Sequence, residues 1–114
     1  GNSSALTIIP VADNKIFYYH GELTAALSKN LYGTCSYLFV DGIGSVIREK
    51  QSALDRNGTG RNELMLIIKP AESSRLGNTV DILDEVLINE VRHYALTELT
   101  NEERQMLAVL NIRL

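Results

Sequence analysis

The chain opens with two short runs rich in β-branched and aromatic residues, "ALTIIP" at 5–10 and "KIFYYH" at 15–20. Such residues suit a pleated, half-buried surface. Val11, Ala12, Asp13 and Asn14 separate the runs, and Asp and Asn tolerate left-handed backbone or bond their own main chain. The pair is predicted as an antiparallel hairpin. Residues 21–36 hold no sustained period. "ELTAALSKN" has a brief helical rhythm at 23–27, but Gly33 and its polar neighbours predict a long irregular connection. Residues 37–40 read as a short extended segment.

From residue 41 the period changes to that of a helix. Asp41 is a candidate N-cap, Ile43, Val46, Ile47 and Leu54 follow at helical spacing, and Asn57-Gly58 supplies the stop, with Gly60 extending the turn. Gly42 and Gly44 weaken the first turn by roughly 1 kcal/mol each relative to alanine. The segment 64–69 is continuously apolar up to Lys69 rather than alternating, which predicts a strand covered on both faces, as in parallel pairing. A helix over 76–88 places Leu76, Val80, Leu83 and Leu87 on one stripe, widened by Ile82 and Val86. The segment 91–99, "VRHYALTEL", returns as a strand, so 64–99 reads as a right-handed βαβ unit. Thr100-Asn101-Glu102-Glu103 has the T-x-x-E form of a capping box and opens a last helix through Leu110, apolar at Met106, Leu107 and Leu110. The expected fold is α+β in the order ββαβαβα. It is a small mixed sheet, an N-terminal antiparallel hairpin plus a βαβ unit, with helices mainly on one face.

Composition narrows the function more by exclusion than by signal. A chain of 114 residues, 45% hydrophobic and 22% charged, is one domain with a sizeable core. The net charge of −3 and the scattering of 11 Lys and Arg argue against a nucleic-acid surface, which needs clustered cations. Cys35 is the only cysteine, so no intrachain disulfide forms, and the compartment stays open on that evidence. No apolar run approaches the roughly 18–20 residues that span a bilayer. The start Gly1-Asn2-Ser3-Ser4 reads as a cleavage scar and linker ahead of a single domain over 5–114, a piece of a longer protein.

The polar turn at 70–79 and the acids beyond it are the obvious places to seek chemistry. A P-loop needs several glycines and a Lys at the helix start, whereas this turn has only Gly77, with Lys69 ahead of it. Asn78 as a helix cap, with Asp81 in the N3 place, explains the turn without a ligand. Asp81, Asp84 and Glu85 read as a solvated helix face, because nothing nearby in sequence would shift a carboxyl pKa. His20 and His93 lack metal-ligand spacing, and Ser73, His93 and Asp84 have no nucleophile-elbow context. Cys35 reads as an inert thiol, and the five tyrosines as strand and edge fillers. No catalytic, cofactor or metal site is expected.

The stretch "LIIKPAESSRLGNTVDILDEVLINEVRHYALTEL" resembles the C-terminal periplasmic domain of the ExbD/TolR family of biopolymer transport proteins. Residues 77–84 fall on the family's helix and 92–96 on its closing strand. "DGIGSVI" at 41–47 and "LTIIPVADNKIFYYHGE" resemble the first periplasmic helix and N-terminal hairpin of longer, Bacteroidetes-type members. Leu76 stands where the family usually has Tyr, and the segment after Thr100 extends the family core.

The resemblance implies an inner-membrane protein with this domain in the periplasm, anchored through an upstream span whose proton-carrying Asp lies outside this sequence. It implies an ExbB/TolQ-like membrane partner, a TonB/TolA-like partner and a homodimer, with no chemistry done by the domain itself. The expected contact elements are the hairpin edge, at Ile16 and Tyr18, and the apolar side of the last helix, at Met106, Leu107 and Leu110. Edge strands accept a partner's strand readily. The alternative is a regulatory domain that binds a small anionic molecule at the 70–79 helix start.

Overall fold

The computed structural model describes residues 2–114. The hairpin forms as expected: β1 (Ala5–Val11) pairs antiparallel with β2 (Lys15–His20), and Asp13 and Asn14 take positive φ in the turn. After it come α1 (Leu23–Ser28) and β3 (Tyr32–Cys35), then α2 (Ile43–Arg56), β4 (Met65–Ile68), α3 (Leu76–Ile88), β5 (His93–Leu96) and α4 (Asn101–Val109). The strands make one sheet in the order β3-β2-β1-β4-β5. β4 runs parallel to both β1 and β5, so the expected βαβ unit is present. The fold is α+β, with a mixed sheet.

Relative to the expected order, α1 and β3 are additional. Gly33 hid the strand. It lies opposite Tyr18 in the β2–β3 register, and a Cβ there would sit 2.7 Å from the Tyr18 hydroxyl. The bare glycine leaves room for the tyrosine ring across the pair, the use of glycine inside a strand that makes it look like a breaker in sequence. Residues 37–40, expected to be extended, instead form a loop and turn.

Strand alternation splits the core in two. Leu6, Ile8, Ile16, Leu66 and Ile68 point to the side where α2 brings Ile43, Ile47 and Leu54 and α3 brings Ile82 and Val86. Ile9, Val11, Phe17 and Tyr19 point to the other side, against Ala26 of α1 and Met106 and Leu107 of α4. The two long helices thus share one face, and the two short ones cover the other over β1 and β2. That second cover does not extend fully over β4. Leu66 and Ile68 are buried, but Ile67 is half-buried and Met65 is 39% exposed. The strand expected to be covered on both faces is fully covered on one.

The helix ends differ in detail from expectation. Gly42, not Asp41, is the N-cap of α2, and Asp41 sits at φ +60 in the preceding turn. The turn is tight because Gly42 has no side chain: a Cβ would lie 2.0 Å from the backbone carbonyl of Leu38. Gly42→Ala should therefore destabilise by about 1–3 kcal/mol through forced backbone movement, measurable as a lower urea midpoint at unchanged m-value. At α3 the N-cap is Arg75, with Asn78 in the N3 place. Thr100 caps α4 as the T-x-x-E pattern requires: its hydroxyl accepts from Glu103 N–H, and the Glu103 carboxylate accepts from Thr100 N–H.

Candidate functional site

Every expected contact residue except Leu110 has its place inside the protein or against it. The hairpin is not an edge: β3 covers β2 on one side and β4 covers β1 on the other. Ile16 and Leu107 are fully buried, Met106 is buried at 7%, and half-buried Tyr18 packs against the α2/α3 core. Leu110 alone reaches the surface, at the rim of a shallow groove between α1 and α4 lined also by Leu23, Leu27 and Val109. The true sheet edges are β3 and β5.

The 70–79 turn uses its polar groups internally. Ser74 donates both its N–H and its hydroxyl to the Ala71 carbonyl. The Asn78 side chain accepts from Arg75 N–H and donates to Asn14, and Asn78 is buried. An anion at this helix start would have to displace those bonds. Asp81 and Asp84 are exposed, while Glu85 turns toward α2, accepting from Asn89 and lying 3.9 Å from Arg48.

One charged cluster is buried. The Lys69 ammonium donates to both oxygens of Glu103 at 2.9 Å, and the Tyr19 hydroxyl donates to the same carboxylate at 2.5 Å. Burial raises the Glu103 pKa, but the Thr100 N–H, the tyrosine hydroxyl and Lys69 outweigh it and hold the carboxyl below its ordinary value. Tyr19 is pushed up by burial and by its bond to Glu103. The set takes a residue from each of β2, α4 and the segment after β4, and Thr7 of β1 adds a hydrogen bond to Tyr19. It fastens α4 to the sheet. The T-x-x-E pattern announced Glu103 as a cap, but its second role needed Lys69 and Tyr19 brought from 34 and 84 residues away.

His20 ends β2, half-buried, with its ring edge-on to Tyr18 at 5.8 Å. Burial and the nearby Lys50 ammonium lower its pKa from 6.5 to about 4. The folded state therefore binds fewer protons than the unfolded chain between those values. Stability is unaffected above about pH 6.5 and falls as pH drops from there toward 4. Allowing for the ring's partial exposure, the loss should be on the order of 1–2 kcal/mol. His20→Gln should flatten that part of a stability–pH curve measured by urea unfolding.

Among the described residues, no group of three or more His, Cys, Asp or Glu could hold a metal, and no helix is long and apolar enough to cross a membrane. Cys35 is half-buried, and burial pushes its thiol up to about 11, away from reactivity.

What the surface does display is apolar. On α3 the core-facing side carries Ile82 and Val86, and the side toward α2 carries Glu85 and Asn89, which bond Arg48 and Gln51. The stripe read from the sequence lies on the flank away from α2. Leu76 is 82% exposed and Leu87 76%, Val80 is exposed, and Leu83 is partly buried. Beside this flank runs the edge strand β5. Tyr94 and Leu96 are in register with Leu66 and Ile68, so they point to the same face as α3, each about half exposed at 50% and 51%. Together these side chains make a patch of roughly 500 Å², near the upper end of what monomers expose. Its signal was in the sequence as the Leu76/Val80/Leu83/Leu87 stripe, but the stripe read as the core-facing side of the helix.

Compared with protein-family models, curated proteins and solved structures, the chain finds no match.

Proposed function

We propose that this domain is the non-catalytic periplasmic part of a proton-gradient-driven energy-transduction complex of the ExbB/ExbD/TonB or TolQ/TolR/TolA type, working by protein–protein contact. The observation that carries the reading is the exposed apolar face of α3 and β5, lying on the segment 64–97 that bears the family resemblance. A soluble domain gains nothing by exposing Leu76, Leu87, Tyr94 and Leu96 together unless another protein covers them. Elsewhere the molecule has a buried Lys69–Glu103 ion pair and a capping box that hold α4 to the sheet. The partners in this reading are an ExbB/TolQ-like membrane protein, a TonB/TolA-like protein and a second copy of the chain.

The test lies in the natural protein upstream of Asn2. The reading requires one apolar span of about 20 residues bearing a single acidic residue, since an ionisable group inside a membrane is costly and kept for function. Replacing that residue with asparagine should abolish gradient-dependent outer-membrane uptake while leaving the protein in the membrane. A natural chain without such a span overturns the assignment.

A further inference from the structure

We propose that the cavity between α1, the end of β2 and α2 binds a tetrahedral oxyanion of the phosphate class, held by the Lys50 ammonium and backed by Lys29 and His20. The site is separate from the α3/β5 face and does not depend on the transport reading.

The cavity measures about 240 Å³. On its wall stand His20 at the end of β2, Glu22 and Lys29 flanking α1, and Lys50 from α2, with Ser3 beside them. A water takes about 30 Å³ of liquid, so the space holds roughly eight, enough for one phosphate group with part of its hydration. Ala25 and Leu31 add apolar wall, which strengthens any charge pairing made there.

Lys50 carries the inference. It is only 8% exposed, and its ammonium donates to the Ser3 carbonyl at 2.7 Å. Among the described residues it forms no ion pair with a carboxylate. An ammonium has three hydrogens to donate, and one neutral carbonyl does not balance its charge. A buried charge is costly unless it is paired. Lys69 shows the usual solution in the same molecule, meeting both oxygens of Glu103. Burial lowers the Lys50 pKa, and His20 falls to about 4 through burial first and the Lys50 charge second. The field of Lys50 is thus felt within the cavity rather than cancelled there.

An oxyanion supplies the missing counter-charge and accepts the remaining ammonium hydrogens, the point-charge role that lysine plays toward phosphate. Lys29 is exposed and likewise forms no ion pair, so it is free to close over the ligand from the C-terminal end of α1. His20 adds a ring N–H. Glu22, at the other end of α1, is exposed and disfavours anions at that rim. Free phosphate and a lipid headgroup both carry the required group.

NMR titration of this chain with sodium phosphate, at ionic strength held constant with sodium chloride, tests the site. The amides of Gly21, Lys29 and Lys50 should shift, with a Kd on the order of millimolar, as for one small ion held by a few charge-assisted bonds. Lys50→Met should weaken binding about tenfold or more. Lys29→Glu, at an exposed position that leaves the fold intact, should weaken it about threefold or more. Lys15→Glu makes the same charge change at the far end of β2 and should have no effect. Sulfate is a dianion throughout the range in which His20 titrates, so saturating sulfate should raise the His20 pKa from about 4 toward 6.5. The other titratable groups facing His20 are Tyr18 on β2, Glu22 and Lys29 flanking α1, and Lys50 on α2. Repeating the pH titration in Glu22→Gln removes the carboxyl among them, and the rise should persist. A Kd that ignores both Lys50→Met and Lys29→Glu, or that Lys15→Glu weakens equally, reflects diffuse charge and overturns the proposal. An unmoved His20 pKa overturns it too. Cosedimentation with phosphatidylglycerol vesicles, against phosphatidylcholine, separates the two sources. Lys50-dependent binding of free phosphate alone makes the ligand a soluble phosphate, Lys50-dependent binding of vesicles alone makes it a lipid headgroup, and binding of neither overturns the site.

Discussion

Replacing Glu103 with alanine should cost about 3–5 kcal/mol, among the largest effects of any single substitution in this chain. The carboxylate is fully buried, caps α4 through Thr100 N–H, and accepts from both Lys69 and Tyr19. Its removal breaks the carboxylate half of the capping box, leaves the Lys69 ammonium buried without its anion, and takes away the acceptor of the Tyr19 hydroxyl proton. Chemical denaturation at neutral pH measures the loss. The sharper observation is the double variant Lys69→Met with Glu103→Gln. The carboxamide oxygen of glutamine keeps an acceptor for the Thr100 N–H, its NH2 donates to a Tyr19 hydroxyl turned to accept, and both charges disappear, so stability should return to within about 1.5 kcal/mol of the parent. If the double variant is as unstable as Glu103→Ala, the cluster holds α4 by geometry that charge removal does not explain. The acid response has the same origin. A carboxyl held below its ordinary pKa when folded contributes stability above that ordinary value and loses it as pH falls through the lowered one. Glu103 therefore adds to the loss from His20, at lower pH.

Phe17→Ala should cost about 3–5 kcal/mol, measured in the same way. Phe17 is fully buried on the face covered by α1 and α4, with its ring 5.8 Å from that of Tyr32. The face under two short helices is thus a packed core and not a thin skin. A cost below about 1 kcal/mol would mean that this side yields easily and that α4 is held by its ion pair alone.

How much of this could be read from residues alone depended on how local the determinant was. The hairpin, α2, the βαβ unit and the α4 cap all rest on neighbours within a few positions, and all are present. β3 could not be read, because the reason for Gly33 is the Tyr18 ring across the sheet. The α3 stripe was visible as a pattern, but its direction was not. Thr79, Ile82 and Val86 win the core because α2 occupies the Glu85 side and the sheet lies beneath, which rolls Leu76, Val80 and Leu87 outward. The same lack of topology made the hairpin look like a sheet edge. Ile16 and Tyr18 look like edge residues only until β3 is known to cover β2.

A photo-crosslinking residue placed at position 94 of the full-length protein in its own membrane, with position 109 on α4 as the comparison, asks which surface works. Position 94 should give an adduct of twice the chain mass, and position 109, more exposed but on the opposite side of the sheet, should give none. An adduct from 109 with none from 94 would contradict the assignment of function to the α3/β5 face.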